Sequence, residues 1–271
     1  MRHEVKTVEL STGVTLKYAE QGEPSGVPAL LLPGALDSWR SFELVLPHLP
    51  ESIHAFALTP RGHGDSSKPE SGYRVRHFAD DVKAFMDSQD LEAAVLAGHS
   101  FGSVVAQRIA VDHPECTLAL LLVGAHYATG EHPADRDFYE STISKLEDPI
   151  DPHLVGEFQE TAHHRPLPEP FAETVVREAM KIPSRVWKRL WEGFLVDDLS
   201  DDVHRISAPT LLIWGDEDPE GHTPGSEQDA LLAAIPDSRL VVYEGVGHSP
   251  HWEVPVRFAS DLVRFVETTV D

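Results

Sequence analysis

Short apolar segments rich in β-forming residues recur along the chain: Val5 to Leu10, Val14 to Ala19, Ala29 to Leu32, Ile53 to Leu58, Ala93 to Ala97, Leu118 to Val123, Thr210 to Trp214 and Arg239 to Tyr243. The first two alternate apolar and polar positions, as strands with one wet face do. Most of the later ones are continuous apolar runs, which predicts strands covered on both faces. Between them the apolar period changes to about 3.6 residues. Phe78, Val82, Phe85 and Met86 form one stripe, Val104, Val105, Ile109 and Val111 a second, and Asp229 to Ala234 and Val256 to Thr268 continue the pattern, the last with Phe258, Leu262, Phe265 and Val266 as its apolar face. Strands alternating with helices predict a doubly wound α/β core, with a mostly parallel sheet that begins in an antiparallel hairpin.

The alternation stops between His126 and Ala208. Phe171, Val175, Val176, Ala179 and Met180 make one helical stripe there, while Val186, Trp187, Leu190, Trp191 and Phe194 make a helix apolar on more than one side. A helix with two apolar faces sits between two bodies. The chain is therefore expected to divide into a core of residues 1–125 and 209–271 and a helical lid of residues 126–208, with Arg165 to Pro170 as a linker within the lid, which lies over the C-terminal edge of the sheet, where open α/β sheets bind ligands.

Composition narrows the function. The 271 residues carry 22 Lys and Arg against 45 Asp and Glu, a net charge of −23. Such a surface repels nucleic acid and anionic lipid, which leaves a small molecule as the expected partner and a monomer or homodimer as the expected state. The one cysteine, Cys116, has no intrachain partner, and the N-terminus lacks the apolar stretch of a signal peptide; both fit a reducing cytoplasm. No apolar run approaches the roughly 20 residues that cross a bilayer. His163-His164 and the His248–His251 spacing lack the accompanying ligands of a metal site, and neither a Walker pattern nor a G-x-G-x-x-G opening a helix is present, so no metal, nucleotide or other cofactor is expected.

One segment carries nucleophilic chemistry. Directly after the fifth expected strand stands Gly98-His99-Ser100-Phe101-Gly102, followed at once by a helical stripe. Glycines flanking a serine on a sharp strand-to-helix turn let backbones approach closely and lift the hydroxyl above the sheet, and the helix N-terminus favours negative charge developing there. Serine needs a base, and the base a partner that fixes its tautomer. Downstream, the seventh strand ends in Gly215-Asp216-Glu217-Asp218 and the eighth is followed by Gly245-Val246-Gly247-His248-Ser249-Pro250-His251-Trp252-Glu253. Each segment leaves the C-terminal end of a strand.

In these residues and their order the whole chain resembles the α/β-hydrolase superfamily. The resemblance implies Ser100 as nucleophile, His248 as base and Asp218 as acid, with the backbone N–H groups of Ala35 and Phe101 as the oxyanion hole. Asp216 and Glu217 compete with Asp218, and His251 with His248; His99 is read as a core histidine. Arg61-Gly62-His63-Gly64-Asp65-Ser66 resembles the family's structural loop after the fourth strand. Pro33-Gly34 departs from the family's His-Gly, removing a backbone donor and an imidazole that braces the oxyanion loop. Leu36, Trp39, His126, Trp187 and Trp191 are expected to line the pocket.

The expected activity is hydrolysis of a carboxylic ester or lactone through an acyl-enzyme, with an acid limb at about pH 6 to 7, where imidazole titrates. Serine rather than aspartate at position 100 argues against dehalogenase and epoxide-hydrolase chemistry. Cofactor-free haloperoxidase or perhydrolase activity, carbon–carbon bond hydrolysis and a hydrolase-like ligand receptor stay open as alternatives.

The acid excess has two readings, solubility and adaptation to high salt. Adaptation predicts that the melting temperature falls steeply as salt is withdrawn, because screening of the acidic surface is lost. A scan of thermal unfolding from molar to low-millimolar salt decides between them; a flat response leaves solubility.

Overall fold

The structure, a computed structural model, describes residues 3–127, 133–219 and 223–270. Four strands, β1 (Glu4–Glu9), β2 (Thr15–Gln21), β3 (Val27–Leu32) and β4 (Ile53–Thr59), precede α1 (Val75–Ser88). Then come β5 (Ala94–His99), α2 (Phe101–Asp112) and β6 (Thr117–Val123), followed by α3 (Pro133–Ser141), α4 (Pro152–Glu160), α5 (Glu169–Ala179) and α6 (Ser184–Phe194). The chain closes with β7 (Thr210–Gly215), α7 (Gly225–Ala234), β8 (Ser238–Tyr243), α8 (Pro250–Glu253) and α9 (Pro255–Thr269).

All eight strands join one sheet in the order β1-β2-β4-β3-β5-β6-β7-β8. Strand β2 runs antiparallel to both β1 and β4, and the remaining pairs are parallel. Every residue of β4 and β5 is buried, whereas β1 alternates between exposed and half-buried positions. The continuous and alternating apolar patterns have this origin: inner strands meet helices on both faces, and the edge strand meets water on one.

Period-two pleating sorts the strand residues into two layers. Leu30, Leu32, Phe56, Leu58, Leu96 and Leu122 pack under α1 and α2 with Phe85, Val105 and Ile109. Their neighbours Leu31, Ala55, Ala57, Val95, Ala97 and Leu121 pack on the opposite face against Phe258, Leu262 and Phe265 of α9. The expected α9 stripe is fully buried there.

Between β6 and β7 the described residues form helices and turns and no strand. The apolar residues of helix α6 are buried on one broad face rather than two: Val186, Trp187, Leu190 and Trp191 all belong to the same cluster as α2 and the sheet, while Arg189 and Glu192 are exposed. A Cβ on Gly193 would fall 2.3 Å from Tyr73 O, so α6 ends directly on the start of α1. Asp197, just beyond α6, accepts from Val75 N at 2.7 Å and from Arg74 Nε at 2.8 Å, placing an anion on the N-terminus of α1. None of the helices in the described residues is long and apolar enough to cross a membrane.

The segment after β4 is tied down by a buried ion pair. Arg61 donates from Nε to Asp81 Oδ2 at 2.7 Å and from Nη2 to Oδ1 at 2.6 Å, and Nη1 reaches Gly72 O at 2.9 Å. Thr12 Oγ1 adds a third bond to Asp81 at 2.7 Å. Removing one partner strands the other charge without water. Asp81→Ala is therefore expected to cost about 3–5 kcal/mol of unfolding free energy in urea. A loss under about 1 kcal/mol, the size of a surface pair, would mean that solvent reaches Arg61.

Candidate active site

The C-terminal ends of β3, β5, β6, β7 and β8 gather the chemistry. At the turn from β5 to α2, Ser100 has φ 50 and ψ −120, a conformation that costs a non-glycine residue about 1–3 kcal/mol. The surroundings enforce it. A Cβ on Gly98 would sit 2.3 Å from Gly102 O, and one on Gly102 would sit 2.3 Å from Leu32 O. Only glycines let β5, α2 and β3 pack this closely. Ser100 N donates to Val123 O at 2.9 Å, and Ser103 Oγ donates to Ser100 O at 2.6 Å, which fixes both ends of the turn.

Phe101 opens α2, so its N–H has no acceptor within the helix. Ala35, in the loop after β3, lines the same cavity as Ser100 and Phe101. Leu36 follows at φ 69, another left-handed non-glycine residue, and a Cβ on Gly34 would lie 2.8 Å from His99 Nδ1. The His99 ring thus stands against the loop that Pro33 deprives of its usual imidazole. Its other nitrogen is 3.0 Å from His248 O, so His99 bridges the oxyanion loop and the histidine loop.

His248 and Asp218 come together. Nδ1 of His248 lies 2.8 Å from Asp218 Oδ2, with both residues buried, and Thr223 Oγ1 also donates to that oxygen. Asp216 is spent elsewhere, accepting from Gly245 N at 2.6 Å, and Glu217 is exposed at the cavity. His251 is buried with Nε2 3.0 Å from Ser41 Oγ and its ring 4.5 Å from that of His99. It is a packing residue. Gly124 gives His248 its room, since a Cβ there would meet Cε1 and Nδ1 at 2.9 Å. Burial, helped by the positive charge of His126, pulls the His248 pKa down to about 3.

Behind the oxyanion loop lies a buried polar group that the sequence did not announce. Asp37 accepts from Ser41 Oγ at 3.1 Å and from Gln159 Nε2 of α4 at 3.4 Å, and Trp252 Nε1 donates to Ser41 Oγ at 2.9 Å. Burial pushes the Asp37 carboxyl up to about 7, against the two hydrogen bonds that favour its charged form. Glu253 is a second such residue. It accepts from Gly247 N at 2.8 Å and from Arg165 N at 2.8 Å, while Arg165 Nε donates to Gly245 O at 2.6 Å.

A cavity of about 560 Å³ opens over Ser100. His126 and Trp191 line it as expected. Leu36, Trp39 and Trp187 do not, which corrects their assignment to the pocket. Leu36 is buried in the core beneath, Trp39 packs with Phe42 and Phe258 on the α9 side of the sheet, and Trp187 stacks behind Trp191 at 6.0 Å. The walls come instead from α3, α4 and α6: Phe138, Leu154, Phe158, Leu190 and Phe194. Phe138 stands beside Tyr139 on α3 and Phe158 follows Leu154 and Val155 on α4, and only their register on those helices would have marked them.

Residues 29–261 match the family described as alpha/beta hydrolase. The chain is 26% identical to the AB hydrolase superfamily protein YisY of Bacillus subtilis, over 98% of this chain and 99% of that one. It is 24% identical to the (E)-2-((N-methylformamido)methylene)succinate hydrolase of Acinetobacter baylyi, over 97% and 98%. Among solved structures, esterase RhEst1 from Rhodococcus sp. ECU1013 superposes with a TM-score of 0.85 at 26% identity, covering 98% of this chain and 99% of that one. With a matching family over most of its length and a serine elbow at the end of β5, the chain belongs to the alpha/beta hydrolase family.

Proposed function

We propose that the protein is a serine hydrolase that cleaves a carboxylic ester or lactone through an acyl-enzyme on Ser100. The contact that carries this reading is the 2.8 Å pairing of His248 Nδ1 with Asp218 Oδ2, made by residues from two loops that flank the Ser100 elbow. A carboxylate on Nδ1 fixes the proton there, which leaves Nε2 as the basic nitrogen.

In this mechanism Ser100 Oγ attacks the carbonyl carbon and its proton passes to His248 Nε2. Asp218 stabilises the imidazolium, and the N–H groups of Ala35 and Phe101 donate to the oxygen that becomes negative. Collapse breaks the bond to the leaving alcohol, which takes the proton from His248. Water then repeats the sequence on the acyl group and frees Ser100. Residues 126–208 serve as the lid that excludes bulk water, with α3, α4 and α6 forming its inner wall. The esterase name of RhEst1 supports the ester as the bond cleaved.

Ser100→Ala is expected to lower kcat for short p-nitrophenyl esters by about 10³-fold or more while the protein stays folded. Intact-protein mass after a fluorophosphonate probe should show one adduct, absent from the variant. Near-full activity in Ser100→Ala overturns the assignment.

The pH profile is a second check. His248 acts as base only when neutral, so activity is present above its pKa and lost as pH falls through it. With burial pulling that pKa down to about 3, the acid limb of kcat/KM is expected below about pH 6, under the range an exposed imidazole gives. A midpoint at or above about pH 6.5 would show that the Asp218 carboxylate outweighs burial.

A further inference from the structure

Of the polar side chains that line the cavity over Ser100 and that the proposed mechanism does not use, His126 is the buried one among the described residues. His126 lies three residues beyond Val123, whose carbonyl accepts from Ser100 N, so it stands beside the reacting centre. It is 7% exposed and lines the cavity. Its Nδ1 is 3.6 Å from Glu227 Oε2, and that carboxylate oxygen also accepts from Tyr127 N at 3.1 Å. Phe194 meets the ring edge-on at 5.2 Å. The imidazole is therefore flanked by the Glu227 carboxylate on its Nδ1 side and by the Phe194 ring, with Nε2 the nitrogen away from Glu227.

We propose that His126, oriented by Glu227, is a specificity-determining residue that donates from Nε2 to a second, neutral oxygen of the substrate. The preferred substrate is then an apolar ester carrying a ketone or hydroxyl oxygen near the scissile carbonyl. This inference rests on the serine-hydrolase reading and adds the substrate class.

Three features select a neutral acceptor over a carboxylate. Glu227 already balances the charge of a protonated His126, so the pair offers a donor and no net positive charge. The described lining includes Asp135, Glu157, Glu160 and Glu217 and no lysine or arginine, which disfavours an anion inside. Apart from Thr161, His163 and His164, the remaining wall is apolar, with Phe138, Leu154, Phe158, Leu190, Trp191 and Phe194 suited to a hydrocarbon chain. Burial alone lowers the pKa of His126, but Glu227, with Asp135 and Asp218, more than offsets it and holds the group above its ordinary value, which favours the donor form.

The test uses ethyl esters of matched length: valerate, propionylacetate, levulinate and monoethyl succinate. Hydrolysis is followed by pH-stat, and each rate is divided by that for hydroxide alone. In the wild type, kcat/KM for one of the two keto esters should exceed that for the valerate by about fivefold or more, the worth of one hydrogen bond. The succinate, which places a carboxylate in the same position, should be the poorest. His126→Phe should bring the keto-to-valerate ratio within about twofold of one, and His126→Gln, which retains a donor, should keep part of the preference.

A wild type without keto preference, a best rate on the succinate, or a preference undiminished in His126→Phe overturns the proposal. If His126→Phe fails to fold, the wild-type series and His126→Gln still decide it. A fluorophosphonate adduct on Ser100 with valerate hydrolysis but no keto preference defeats this inference alone. Neither adduct nor hydrolysis defeats the serine-hydrolase reading, and this inference with it.

Discussion

Ser100 is held in a backbone conformation that a serine adopts only under duress, at φ 50 and ψ −120. The rest of the structure can be understood as what maintains it. Strand β5 is buried along its whole length between β3 and β6, and α2 must start within one residue of its end. That closeness brings Gly102 against Leu32 and Gly98 against Gly102, where any side chain would collide with backbone. The strain of about 1–3 kcal/mol is small beside the burial of β3, β5 and α2 around it, so the elbow is stable although its centre is not relaxed.

Burial at this edge also sets the electrostatics. The rings of His248 and His251 each lie within 5 Å of the His99 ring, tilted against it, all three below 5% exposure, and the structure provides little countercharge beyond Asp218. Charging one of them costs solvation and meets its neighbours, which is why His248 and His251 are both pushed towards the neutral form. His126 differs from them by one contact. With Glu227 beside it, its pKa moves up while that of His248 moves down.

Much of this was legible in the sequence because it depends on local backbone demands. The eight strands follow from apolar runs whose pattern is set by whether helices cover one face or both, and the elbow follows from glycines that packing makes unavoidable. The choice of Asp218 over Asp216 and Glu217 follows from its distance past the end of β7, and the structure places it on His248 while Asp216 caps the turn at Gly245. The pocket wall was not legible in this way. Trp39 and Trp187 are as aromatic as Trp191, and only the rotation of each helix decides which ring meets the cavity. Phe138 and Phe158 come from α3 and α4, whose weak apolar stripes gave no register to read. Asp37, Ser41 and Gln159 are joined across 122 positions of sequence, a distance over which no local pattern acts.

The helical segment between β6 and β7 is bound to the catalytic edge as well as covering it. Arg165, which the sequence marked only as the start of a linker, donates to the carbonyls of Glu244 and Gly245, and Glu253 returns two bonds to the backbone of His164 and Arg165. The same Glu253 carboxylate holds Gly247 N, one residue before His248. His163 and His164, on the other side of this clamp, line the cavity. A displacement of the linker would therefore be felt at the backbone of the histidine loop before it reached the bound substrate. Gln159 makes a parallel connection from α4 to Asp37 at the oxyanion loop. The segment thus grips two loops at the C-terminal edge of the sheet, the one holding Asp37 and the one holding His248, one through each end of the α4-to-linker stretch, so its position and theirs are set by the same few hydrogen bonds.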